Sequence, residues 1–183
     1  MIIRQAKLED AWGIAKVHVK SWRTTYKGII PDTYLDALTY EQKLDNWRMH
    51  MRMTNAFNRH VYIAEDSNRQ IIGFIYGGLN DENNDFHGKI FSMYLLKEFQ
   101  RKGIGRLLLK TMVEKFISLE INTVMVWVLR DNPSCHFYEY FGGIKIAEVL
   151  ESRGGKNLRK IAFGWKNING LFGFVNAKVD HLC

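Results

Sequence analysis

Residues 96–110 read Leu-Lys-Glu-Phe-Gln-Arg-Lys-Gly-Ile-Gly-Arg-Leu-Leu-Leu-Lys. Two glycines, Gly103 and Gly105, stand one residue apart inside a basic cluster. An apolar pattern with helical spacing follows at once through Ile104, Leu107, Leu108, Met112 and Phe116. The pattern predicts a strand, a tight loop and then a long amphipathic helix. At such a junction the first helical amides lack partners and the helix dipole favours an anion. Glycines let the backbone curl around a phosphate with no Cβ in the way, and Arg101, Lys102 and Arg106 add positive charge. A glycine pair alone can also serve merely to turn the chain, so the flanking segments have to discriminate.

Two familiar phosphate motifs fail on specifics. A P-loop ends in Gly-Lys-Ser/Thr, whereas Gly105 is followed by Arg106-Leu107. A dinucleotide fingerprint needs a third glycine or alanine, which here is Leu108, and an acid about 20 residues on, where the chain offers Trp127-Val128-Leu129.

Outward from this stretch the sequence alternates between two periods. Ile2 to Ala6 is predicted as a strand. Leu8, Trp12, Ala15, Val19 and Trp22 form one helical face, Pro31-Asp32 starts a short helix ending near Leu38, and Thr39 to Gln42 has the capping-box pattern of a third. His60–Glu65 and Gln70–Gly77 read as a hairpin around residues 66–69, and Lys89–Leu96 as the next strand. After the long helix come an apolar strand at Thr123–Leu129, a short helix at Pro133–Phe141, and two strands, 144–150 and 157–165, joined through Gly154-Gly155. The expected fold is a mixed α/β domain whose central sheet carries helices on both faces.

The 183 residues, with 46% apolar and 25% charged side chains, suit one globular domain. No apolar run approaches the roughly 18 residues of a membrane span. The start lacks the basic and apolar regions of a signal peptide. Cys135 and Cys183 form neither a metal spacing nor a disulfide framework, and the six histidines (18, 50, 60, 87, 136, 181) show no metal-ligand spacing. A cytoplasmic protein without a metal or a membrane partner is the economical expectation. The net charge of +7 suits an anionic partner. Residues 97–110 and 151–166 each carry five basic groups and one acid, while Asp81, Glu82 and Asp85 fall in a segment with no Lys or Arg.

Four pieces in order carry a family resemblance. They are Met93-Tyr94-Leu95, the pattern Gln100-Arg-Lys-Gly-Ile-Gly105, Asn132-Pro133, and Phe137-Tyr-Glu-Tyr-Phe-Gly-Gly143. Together they resemble the GNAT superfamily of N-acetyltransferases, over roughly residues 1–166. The resemblance implies the family's acyl-CoA N-acyltransferase fold, with a mixed, mostly antiparallel sheet, and acetyl-CoA as co-substrate. It implies that the amides of Gln100, Arg101, Lys102, Gly103, Ile104, Gly105 and Arg106 hold the pyrophosphate. Backbone groups of Met93, Tyr94 and Leu95 would pair with the pantetheine arm, and the Met93 N–H would polarise the thioester carbonyl. Asn132 would bind the cofactor arm, and Tyr138 would protonate the departing thiolate. Tyr140 lies nearly opposite Tyr138 on a helix, and the family spacing selects Tyr138.

The resemblance also extends to 21–38, SWRTTYKGIIPDTYLDAL, which looks like acceptor-side helices and implies Trp22, Tyr26 and Tyr34, with His18, as the acceptor lining. The general base is left open. Where many relatives carry a glutamate this chain has Lys89, leaving Glu82, Asp85, His87 or water as alternatives. Cys135 reads as a passive thiol. The expected activity is transfer of acetyl from acetyl-CoA to a primary amine of a small molecule or a protein N-terminus, with the acidic 81–85 segment favouring a cationic acceptor. Two rivals stand beside it. Lys89 motivates a non-catalytic acyl-CoA-binding or sensing module, and the basic segments motivate nucleic-acid binding, for which no recognition motif is present. Residues 167–183 form a tail outside the resemblance, open to packing on the domain, to a homodimer contact or to no role.

Overall fold

A computed structural model describes residues 1–54, 58–82 and 85–172. Seven strands form one sheet in the order β1-β2-β3-β4-β5-β7-β6. They are β1 (Ile2–Gln5), β2 (Arg59–Glu65), β3 (Ile71–Leu79), β4 (Gly88–Leu95), β5 (Val124–Leu129), β6 (Ile144–Arg153) and β7 (Lys156–Trp165). Every neighbouring pair is antiparallel except β4–β5. A parallel pair needs a crossover, and α4 (Ile104–Ser118) supplies it.

The sheet's two faces are covered by different helices. Phe74 of β3 meets α1 (Ala11–Thr25) at His18 and α3 (Tyr40–Arg52) at Trp47, with ring separations of 6.0 and 4.8 Å. On the other face Leu108, Met112 and Phe116 of α4 are fully buried. The short α2 (Asp32–Asp36) follows α1, and α5 (Cys135–Tyr140) follows β5. Thr39 caps α3 as its sequence pattern predicts, accepting from the Gln42 N–H at 3.2 Å. Among the described residues no helix is long and apolar enough to cross a membrane.

One expectation needs correction. The face Leu8–Trp12–Ala15–Val19–Trp22 is not a single buried stripe, because Leu8 and Trp12 are exposed. A 3₁₀ turn occupies Leu8–Asp10, so α1 starts at Ala11. Wedged between the sheet and α3, the helix buries a wider arc that includes Ala11, Ile14, Ala15 and Val17. Trp12 instead lies edge-on to Tyr40, with the Lys16 ammonium over its ring.

The segment after β7 packs on the same core. Ile168 is buried and its N–H reaches the Asn122 carbonyl at 3.0 Å, while the Phe172 ring lies 5.4 Å from Phe141. Cys183 and the rest of the tail from residue 173 lie outside the described residues.

Candidate active site

The sheet opens between β4 and β5. Parallel pairing runs only through Gly88↔Val124, Lys89↔Met125 and Ile90↔Val126, while β5 stays paired with β7 as far as Leu129. The cause lies in β4. Opposite β3 the register slips between Tyr76↔Ser92 and Gly77↔Ile90, so Phe91 is an extra residue. Such a bulge bends its strand, and β4 veers from β5 just past it. The Leu96 N–H donates to the Ile72 carbonyl at 2.9 Å, across to β3. Alternation therefore turns the Met93 and Leu95 amides the other way, into the gap. The Leu95 carbonyl in that gap is already met by Gln100 Nε2 at 3.0 Å.

The loop that leaves β4 brings the predicted phosphate cradle to the same end of the gap. Arg101 and Gly103 both adopt left-handed backbone, with φ of 62° and 78°. Gly103 is the N-cap of α4, and the first helical bond runs from the Leu107 N–H to its carbonyl at 3.1 Å. The amides of Ile104 and Gly105 precede that bond, at the positions where a helix supplies no carbonyl partner. A Cβ on Gly103 would meet nothing within 4 Å, so the requirement there is conformational. A Cβ on Gly105 would touch only Phe137 at 3.5 Å, so that glycine keeps the approach low rather than fixing the turn. The Ile104 side chain is buried in the core, leaving its amide as the group on offer.

Across the gap, β5 ends and α5 begins through Asn132-Pro133. Asn132 is buried and its Oδ1 accepts the Ser134 N–H at 2.9 Å, which fixes the turn. Its Nδ2 points to the Tyr26 hydroxyl at 3.4 Å. Tyr138 is buried against Phe163 and Trp165, with both ring centroids 6.1 Å away. Burial pushes the Tyr138 phenol above its ordinary pKa, with the nearby Tyr26 adding to the effect. Tyr94 behaves likewise, raised by burial and then by Tyr26. Cys135 is held by the Leu129 and Arg130 carbonyls, and burial raises its pKa, as a passive thiol requires.

The three aromatic residues expected to line the acceptor side come together. Trp22 lies 5.0 Å from Tyr26 and 6.3 Å from Tyr34 between ring centroids. His18 joins them, 5.7 Å from Trp22 and 5.1 Å from Tyr94. Its Nδ1 accepts the Trp47 indole N–H at 3.2 Å. Burial, with the Lys43 charge adding, lowers its pKa to about 3. The imidazole is therefore neutral with its proton on Nε2, and Nε2 is buried without a partner among the described residues. Neither nitrogen can accept a proton from a substrate.

The three residues weighed as general bases gather elsewhere. They flank the start of β4, about 17 Å along the strand from Met93. Glu82 is ion-paired with Lys89, which holds its carboxyl below the usual range. Asp81 is ion-paired with Arg59. The His87 backbone and ring both face Thr123, and Asp85 is exposed. Lys89 thus reinforces the loop electrostatically. Sequence reasoning did not single out Lys43 or Arg153, which reach the Trp22 ring from two other elements. No local pattern marks a lysine within an amphipathic helix or an arginine at a hairpin tip.

Comparison with known proteins places this geometry in context. Residues 19–142 match the sequence profile described as the Acetyltransferase (GNAT) family. An N-acetyltransferase of Bacillus subtilis named YuaI, itself uncharacterised, is 36% identical over 175 residues, 95% of this chain and 98% of that protein. The structure of the PaiA N-acetyltransferase from Thermoplasma acidophilum, in complex with coenzyme A, superposes with a TM-score of 0.68 at 21% identity, covering 87% of this chain and 96% of that one. The ribosomal-protein-alanine N-acetyltransferase of Brucella melitensis gives a TM-score of 0.72 at 17% identity, covering 90% and 99%.

Proposed function

Because this chain belongs to the GNAT acetyltransferase family, whose typical reaction carries acetyl from acetyl-CoA to an amine, we propose that the gap between β4 and β5 holds the acetyl-pantetheine arm. On the same reading the amides of residues 101–106 receive the pyrophosphate. The observation that carries this is the early end of β4–β5 pairing at Ile90↔Val126, beside a helix entrance where the Ile104 and Gly105 amides precede the first intrahelical bond. An extended amide-bearing arm laid in the gap completes the unpaired β4 edge as an added strand would. Arg101, Lys102 and Arg106 supplement the helix dipole at the phosphates. The second N–H of the Asn132 amide, beyond the one directed at Tyr26, is the part of that side chain left to meet the arm. A cytoplasmic enzyme fits the buried free thiol of Cys135.

The residues then divide the chemistry. The acceptor nitrogen attacks the thioester carbonyl carbon, and the Met93 N–H stabilises the charge that gathers on the carbonyl oxygen. The C–S bond breaks, and Tyr138 gives the leaving sulfur its proton. The phenol regains that proton from solvent, and the acetylated nitrogen sheds its surplus proton to water. His18 takes no part in that proton loss, since its Nδ1 is engaged and its Nε2 already carries hydrogen. The acceptor must reach the site as a neutral amine, which the cations at the Trp22 side favour over its ammonium form.

Thiol release from acetyl-CoA across an amine panel is the direct test, and kcat/KM for an accepted amine should rise about tenfold per pH unit below that amine's own pKa. A plateau set by one enzyme group near pH 6 or 7, unchanged between amines of different basicity, would restore a dedicated base. Thiol release that no amine stimulates would favour the sensing reading motivated by Lys89.

A further inference from the structure

Two cations from separate elements converge on one indole. Lys43 Nζ of α3 stands 5.3 Å from the Trp22 ring centroid, and the Arg153 guanidinium, at the tip of the β6–β7 hairpin, stands 5.2 Å from it. Trp22 is buried, so the two charges stand at the edge of the aromatic cluster in which Tyr26, Tyr34 and Tyr94 also pack. Lys43 is half-buried and has no ion pair with any described residue. Arg153 is paired with Glu151, but that carboxylate also serves Lys160 at 2.6 Å. Glu151 thus divides its charge between Arg153 and Lys160.

The hairpin is held against the aromatic cluster by construction. Gly154 and Gly155 both have positive φ, 58° and 76°, as a two-residue turn of this hand requires. Gly154 lies so close to Tyr34 that a Cβ there would come within 2.9 Å of the Tyr34 Cβ. The Lys156 ammonium donates to the Ile29 carbonyl at 2.8 Å, tying the next strand to the loop after α1. Like charges held together against an apolar ring repel one another unless an anion joins them. Beside Trp22 in the same aromatic cluster, the buried Nε2–H of His18 is a hydrogen-bond donor without a partner among the described residues.

We infer that the acceptor amine carries an anionic group, a carboxylate or phosphonate, which Lys43 and Arg153 receive across the face of Trp22. Resting on the acetyl-transfer reading above, this makes the two cations specificity-determining residues and reverses the cationic preference suggested by the acidic 81–85 segment. The described acids of that segment with ion pairs, Asp81 and Glu82, are engaged by Arg59 and Lys89 at the far end of β4.

The test uses matched pairs: an α-amino acid against its carboxamide, and an aminoalkylphosphonate against the amino alcohol of the same length, with spermidine as a polycation. Full-length enzyme should prefer the anionic member of each pair by about tenfold in kcat/KM, as a charge-assisted contact provides. In Lys43→Met and Arg153→Met that ratio should fall toward one through a higher KM for the anionic member. Acetyl-CoA affinity by calorimetry would report that each variant is folded. Equal or better use of the carboxamides or spermidine overturns the inference, as does a preference that survives both substitutions. If no amine is turned over, the acetyl-transfer reading fails separately. Calorimetry on the CoA-saturated protein then decides the inference. A Lys43-dependent preference for the carboxylate over its carboxamide upholds it, and equal binding overturns it.

Discussion

Burial holds the Tyr138 proton in place, and that is the property a general acid for a thiolate needs. With its pKa raised above the ordinary 10.0, the phenol stays protonated to a higher pH than a tyrosine in water. Two consequences are measurable in steady-state kinetics. Tyr138→Phe should lower kcat by roughly 10²-fold, the scale of one acid–base contribution, with the acetyl-CoA dissociation constant nearly unchanged. The wild-type kcat should show no alkaline decline up to pH 10 traceable to this group. His18, in contact with Trp22 and Tyr94, provides a stability probe. In the folded protein its pKa is about 3 against an ordinary 6.5. Between those values the unfolded chain binds the proton that the folded chain refuses, so stability falls as pH drops through 6.5 toward 3. Urea unfolding should lose about 1–2 kcal/mol more between pH 7 and pH 5 in wild type than in His18→Asn. Equal losses would mean that the ring is hydrated and titrates normally.

The β6–β7 hairpin brings Arg153 over Trp22. Its tip needs left-handed backbone at Gly154 and Gly155, and its descent onto Tyr34 leaves no room for a Cβ at 154. Gly154→Ala meets both obstacles and should cost about 1–2 kcal/mol, or roughly 2–8 °C in Tm for a chain of this length. The same change moves Arg153 off Trp22, so KM for the acceptor should rise while KM for acetyl-CoA holds. A rise confined to acetyl-CoA would mean that the hairpin serves the donor side. In β4 a single extra residue, Phe91, has a comparable reach. It ends the pairing with β5 and turns the Met93 and Leu95 amides into open edges.

The net charge of +7 surrounds a loop in which Arg101, Lys102 and Arg106 stand beside a helix N-terminus. A highly charged anionic donor should therefore bind with a marked salt dependence. Acetyl-CoA affinity measured by calorimetry is expected to weaken several-fold between 50 and 500 mM NaCl, as the Debye length contracts from about 14 to about 4 Å. Arg101→Gly should flatten that dependence. Its effect on stability should be small, because relief of left-handed strain and the looser unfolded chain act in opposite directions. Affinity indifferent to salt would place the diphosphate away from this loop.

Local patterns made much of this legible in the amino-acid order. Period and punctuation reside in neighbouring residues, so the strands, the long helix after Gly103, the Thr39 cap and the Gly154-Gly155 turn could all be read from the chain, as could the family. The short-range rule failed at Leu8 and Trp12, where the width of a helix's buried arc depends on what packs beside it. It was silent on the Phe91 bulge, which exists only relative to the register of β3. The meeting of Lys43, Trp22 and Arg153 joins three elements, the last of them more than a hundred residues along the chain from the other two. The pairing of Asp81 and Glu82 with Arg59 and Lys89 likewise depends on folding. Charge read along a sequence gives sign and density, but neutralisation and convergence are distances in space, and those the packed sheet and helices supply.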